Sequence, residues 1–113
     1  MRIVVVSCSV DEVEGLLDSL LEERLVGCGN IVPSVRSHYW WEGQVCRDEE
    51  SLLLMETEDE LVPALMQRVV ELHSYEVPKI LALEVAQALP AYAQWLGRVV
   101  ARKPEGSRAN EGA

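Results

Sequence analysis

Basic residues are scarce in this 113-residue sequence. Ten Lys and Arg stand against 19 Asp and Glu, a formal net charge of −9. A chain so charged lacks the basic face that displaces counterions from nucleic acid or from an anionic membrane, so neither is expected as a partner. Long apolar runs are missing too: nothing approaches the ~18 residues of a membrane-spanning helix. MRIVVVSCSV, basic and then apolar, is too short for a signal peptide and leads into an acidic amphipathic segment without a cleavage-like site. Cysteine is sparse. Cys8, Cys28 and Cys46 cannot all pair within one chain and none lies in a CxxC, which points to reduced thiols in a cytoplasmic protein. A glycine-rich phosphate loop is also absent. The rest is ordinary globular composition, 49% hydrophobic and 26% charged, in a length that makes one domain with its own core. The domain is expected over residues 1–103, and the aperiodic segment from Pro104 to Ala113 is expected to be a mobile tail.

One stretch is too long for that domain. Gly29 to Thr57 reads as two strands meeting at Glu42-Gly43, each roughly 13 residues and so a ladder of ~45 Å. A compact chain of this size has a radius of gyration of only ~13 Å. Ile31, Val35, Tyr39, Trp40 and Trp41 are thus carried outward on an arm that the chain's own core cannot cover. Apolar residues so placed need another surface, and an oligomer is expected. By period two, Ile31, Val35, Tyr39 and Trp41 share one face, and Val32, Arg36, His38 and Trp40 the other. Pro33 removes a ladder donor, so a bulge, bend or edge is expected there.

The other elements follow from periodicity. Ile3 to Val6 is a β-branched run suited to a strand buried on both faces. Ser9 and Glu12 have capping-box spacing ahead of a helical stripe of Val13, Leu16, Leu17, Leu20, Leu21 and Leu25, which Gly27 or Gly29 is expected to end. Thr57 and Glu60 repeat that spacing before a second stripe, Leu61, Val62, Leu65, Val69 and Leu72, ending near His73. Ile80 to Val85 reads as a strand, and Pro90 suits the first turn of a third helix that buries Tyr92, Trp95, Leu96, Val99 and Val100. The order β-α-β-β-α-β plus a C-terminal helix predicts an α+β, ferredoxin-like split βαβ fold. That fold hosts many functions and decides none of them.

With these elements placed, the sequence resembles the CutA family, the divalent-cation-tolerance proteins. Leu21-Glu22-Glu23-Arg24-Leu25 followed by Cys28, Asn30, Ile31, Val32 and Pro33 is similar to the family's EERL-x-x-C-x-N-I-V-P stretch. Ser37, Tyr39, Trp41, Glu42 and Gly43 match its hairpin tip. Glu71-Leu72-His73 with Tyr75, Glu76, Val77, Pro78 and Ile80 matches its E-L-H-P-Y-E-V-P-x-I segment, and Tyr92 with Trp95-Leu96 its terminal helix. The resemblance implies a non-enzymatic homotrimer assembled through the long hairpins, PII-like in architecture, that associates with divalent cations, copper above all, in cation tolerance. Three places depart from the family pattern: Glu56, where many members carry lysine; Ser74, in place of proline; and a short first turn at Ser7-Cys8-Ser9-Val10.

Candidate chemistry centres on few residues. Cys28 offers a soft thiolate for copper, although a small buried cysteine fills space equally well. His73 offers an imidazole, or simply caps the end of its helix. Glu50, with Asp48 on the same strand face, offers carboxylate oxygens for a cation or belongs to a solvated strand end. Val35, Tyr39, Trp40 and Trp41 are the expected trimer contacts, Tyr39 and Trp41 with the alternative of lining an intersubunit cleft. Two other functions are compatible with these residues: a PII-like scaffold sensing a small anionic ligand in that cleft, and an enzyme with Cys28 as nucleophile and His73 as base.

Overall fold

Alternation along each strand decides which of its residues meet the helices. In a computed structural model describing residues 1–100, the chain forms β1 (Arg2–Cys8), α1 (Val13–Glu22), β2 (Cys28–Trp41), β3 (Gln44–Thr57), α2 (Val62–Leu72), β4 (Ile80–Glu84) and α3 (Pro90–Val99). A single 3-10 turn, Asp59–Leu61, leads into α2. The strands make one antiparallel sheet in the order β2-β3-β1-β4, the ferredoxin-like arrangement. Val4, Val6 and Cys8 of β1 and Leu53 and Met55 of β3 are fully buried against Leu16, Leu17 and Leu20 of α1 and Leu65 and Val69 of α2. The tail expected from Pro104 onward lies outside the described residues.

The opposite face of the sheet is open. β1 is central, yet Ile3 and Val5 stay half-exposed, so the expectation of a strand buried on both faces fails. Its neighbours on that face share the condition: Leu81 is 48% exposed and Leu83 50%, opposite Val5 and Ile3 respectively. The reason is that α1 and α2 both pack on the other side.

The hairpin stretches the molecule to 50 × 29 × 23 Å. Trp41 pairs with Gln44 across a two-residue turn in which Glu42 (φ 51°) and Gly43 (φ 80°) are both left-handed, the backbone that matches strand twist in tight hairpins. Between Val32, opposite Leu52, and Val35, opposite Glu50, β2 gains one residue on β3. Of the bulge, bend or edge expected at Pro33, this is a bulge, and the Ser51 hydroxyl donates to the Pro33 carbonyl at 2.8 Å. An extra residue inverts the period-two alternation. Val35, Tyr39 and Trp41 therefore join Val32 on the open face, and the predicted grouping with Ile31 is corrected.

Three local expectations change for similar reasons. α1 ends at Arg24 (φ 59°), with Leu25 N–H donating to Leu20 O and Arg24 N–H to Leu21 O, a Schellman pattern. Gly27 and Gly29 serve close packing instead: a Cβ would come within 2.4 Å of Leu96 Cδ1 at Gly27, and within 2.3 Å of Leu17 Cδ1 at Gly29. Thr57 remains in β3 and its hydroxyl donates to Leu25 O at 2.7 Å, so it caps no helix. On α3, Leu96 is fully buried, while Tyr92 and Val99 are half-buried and Trp95 lies exposed at the rim.

Candidate functional site

The bulge also builds a cleft. It turns the outer part of β2 so that Val35, Ser37 and Tyr39 stand opposite Glu50, Asp48 and Cys46 on the open face. The connection after α2 runs alongside, and between the two lies a cavity of about 870 Å³ lined by Glu50, Tyr39, Trp40, Trp41, Tyr75 and Lys79 among others. Glu50 is only 5% exposed, and its carboxylate accepts a 2.6 Å hydrogen bond from Tyr75 Oη. Burial, followed by that bond and the negative charge of Glu50, pushes the Tyr75 hydroxyl well above the usual phenol range. Tyr39 Oη donates to the Asp48 carboxylate, and this bond is the main cause of a pKa pushed up to about 12.

His73 holds the connection in place. Its Nδ1 accepts from Tyr75 N–H at 3.1 Å and its Nε2 meets Ser7 O at 2.8 Å, which puts the ring proton on Nε2. Both nitrogens are thus engaged with backbone, and ligation at Nδ1 requires Tyr75 N–H to surrender its acceptor. Glu12 supplies a second fastening. Ser74 donates to its carboxylate from the backbone N–H at 3.2 Å and from the hydroxyl at 2.8 Å. Ser9 N–H reaches the same carboxylate at 3.3 Å and the Ser9 hydroxyl at 2.9 Å. The carboxylate half of the predicted capping box therefore forms, while the hydroxyl donates instead of accepting from the helix. Cys8 lies beneath these groups. Burial, then the nearby Glu12 and Glu50 carboxylates, pushes its thiol up to about 11.

Cys28 is elsewhere. It pairs with Glu56 across β2 and β3, on the open face, where Tyr92 Oη donates to Glu56 Oε1 at 2.7 Å. From Glu50 to Glu56 is six residues of strand, about 20 Å. The structure thus brings Glu50 and His73 to one end of the sheet and leaves Cys28 at the other, so the three candidate ligands do not meet within one chain. Among the described residues no group of three or more His, Cys, Asp and Glu side chains is placed to hold a metal ion. Cys28 with Glu56 offers at most half a coordination set. The expected trimer contacts divide as well: Val35, Tyr39 and Trp41 belong to the open face, whereas Trp40, 74% exposed, stands with Val45, His38 and Arg47 on the other face of the arm.

Residues 2–99 match the family described as CutA1 divalent ion tolerance protein. The chain belongs to the CutA1 family. A Thermus thermophilus relative, divalent-cation tolerance protein CutA, is 42% identical over 96 residues, 84% of this chain and 93% of that one. The chain spans only 46% to 54% of the length of the rice and mouse relatives. Among solved structures, CutA1 from Pyrococcus horikoshii superposes with a TM-score of 0.86 at 32% identity, covering 90% of this chain and 100% of the other. The PII-like protein CutA from Nostoc gives 0.82 at 32%, covering 88% and 97%.

Set against the CutA1 pattern, two departures have local structural roles. Ser74 supplies the N–H and hydroxyl that Glu12 accepts, neither of which proline has. Glu56 is the acceptor for Tyr92. Glu12 and Tyr75 escape a motif reading for different reasons. Tyr75 belongs to a family segment, but its partner Glu50 is 25 residues away; Glu12 looks like a helix cap until the fold brings Ser74 beside it. Among the described residues, no helix is long and apolar enough to cross a membrane.

Proposed function

We propose that this chain serves divalent-cation tolerance as a cytoplasmic, non-enzymatic homotrimer that associates with divalent ions, copper(II) among them. One observation carries the assembly: an apolar sheet face left open by the helices lies on the same side as the aromatic face of an arm projecting beyond the core. Ile3, Val5, Leu54, Leu81 and Leu83 lie on that face with Val35, Tyr39 and Trp41. Burying them against further copies stabilises the assembly by the hydrophobic effect. The soft ligand is Cys28, with the Glu56 carboxylate opposite it, and the remaining ligands come from a neighbouring copy. Glu50 and His73, already engaged with Tyr75 and Ser7, serve the cleft rather than the ion. The separation of Cys28 from His73 supports the non-enzymatic reading, because a nucleophile and its base must be in hydrogen-bond reach. Unpaired Cys8, Cys28 and Cys46 fit a reducing compartment.

Native mass spectrometry with and without copper(II) tests this. A trimer that gains a fixed whole number of ions, lost in Cys28→Ser, is the expected result. A monomer, or a trimer whose uptake ignores Cys28, refutes it. A second reading, a PII-like signalling scaffold with a small ligand in the cleft, is favoured by the cavity beside Glu50. The buried carboxylate in its wall turns the expected ligand from an anion to a cation.

A further inference from the structure

The cavity beside Glu50 has a chemistry of its own. A carboxylate that is 5% exposed is expensive to hold ionised unless donors surround it. Here one oxygen, Oε2, takes the Tyr75 hydroxyl at 2.6 Å. Among the described residues the other oxygen receives no hydrogen bond and Glu50 forms no ion pair. Lys79 lines the same cavity without pairing to it. A buried carboxylate short of a donor calls for a cation.

A metal ion is poorly served there. The Asp48 carboxylate is engaged by Tyr39 and the Nδ1 lone pair of His73 by Tyr75 N–H. Among the described residues no three His, Cys, Asp or Glu side chains converge on an ion, where zinc requires about four ligands and calcium about six or more. An organic ammonium needs less: one carboxylate to receive its N–H groups and aromatic faces to receive its charge and its carbon body. Tyr39, Trp41 and Tyr75 line the cavity, whose volume is about 870 Å³. That lies within the ~300–1,000 Å³ typical of small-molecule sites.

We propose that the cleft between the arm and the connection after α2 binds a small organic amine in its ammonium form, with Glu50 as the charged acceptor and the arm's aromatic residues covering the carbon body. This rests on the second reading above, ligand capture in the cleft, in which Tyr39 and Trp41 line an intersubunit cleft instead of being covered by a neighbouring copy, and is independent of where a metal ion binds. The test is isothermal titration calorimetry on the assembled full-length protein at neutral pH with three probes of one shape: benzylamine, benzyl alcohol and benzoate. Benzylamine is expected to bind at least about tenfold more tightly than either of the others, the ratio that one hydrogen bond to a charged group sustains. Glu50→Gln, which keeps the shape and an acceptor for Tyr75, is expected to erase that preference. Equal binding of benzyl alcohol, or tighter binding of benzoate, overturns the ammonium assignment while leaving ligand capture in place. No binding of any probe, as when a neighbouring copy fills the cleft, overturns both. The wild-type series decides even if the variant fails to assemble.

Discussion

Replacing Leu81 by glutamate separates folding from assembly. Leu81 lies on β4 opposite Val5, and Val5 lies opposite Leu54, so the three form one row across the open face. In a single chain the side chain is 48% exposed, and a carboxylate at that position keeps much of its hydration, so the subunit's own stability should move by only about 0.5 kcal/mol. In an assembly that buries the face, the sum differs. Covering the exposed half of a leucine is worth ~1 kcal/mol, half the usual range for full burial. Desolvating an unpaired carboxylate costs several kcal/mol more. A total of about 4 kcal/mol per subunit lowers the association constant roughly a thousandfold. Sedimentation velocity on Leu81→Glu should therefore show a monomer where the parent assembles, with an unchanged circular dichroism spectrum. The control is Leu53→Ala on the other side of the sheet: Leu53 is fully buried, so truncation should destabilise the subunit itself by about 2–5 kcal/mol. If Leu81→Glu assembles with the parent's affinity, the open face is not the interface and the reasoning fails.

Three further expectations are independent of assembly. Gly29→Ala forces a methyl to within 2.3 Å of Leu17 Cδ1 and should lower stability by about 1–3 kcal/mol in urea titrations; no loss would mean that Leu17 moves aside freely. At Glu12, burial works against ionisation, but the hydrogen bonds from Ser74 and Ser9 outweigh it and hold the carboxyl below the usual range. The unfolded chain then binds the proton more readily, so this contribution is present above the ordinary glutamate pKa of about 4.3 and is lost as pH falls through the lowered folded value. Urea midpoints of the parent and Glu12→Gln should accordingly differ at pH 6 and converge near pH 3, whereas a constant gap would exclude the linkage. Because the Cys8 thiol is buried and pushed up to about 11, iodoacetamide at pH 8 should leave it unmodified in the native protein, as read by peptide mass mapping, until denaturant is added.

The sequence alone determined the element order, the hairpin with its Glu42-Gly43 turn, and the place where the ladder is interrupted. Each rests on local chemistry: helical and strand periodicities, a glycine where both turn residues need φ above zero, a proline that cannot donate to a ladder. Surplus apolar residues on an overlong arm also pointed to a missing partner. Three results depended on tertiary structure. The bulge reversed the facing of Val35, Tyr39 and Trp41, because one inserted residue inverts every side chain beyond it. The Schellman turn at Arg24 left Gly27 and Gly29 to packing against Leu96 and Leu17, contacts that no local pattern encodes. The candidate site was decided by distance through the fold: β3 carries Glu50 and Glu56 to opposite ends of the sheet, so Cys28 is parted from His73, while Glu12 and Ser74, 62 positions apart, meet. Periodicity says which face a side chain takes, and only the packing of the helices and the return of the chain say what stands across from it.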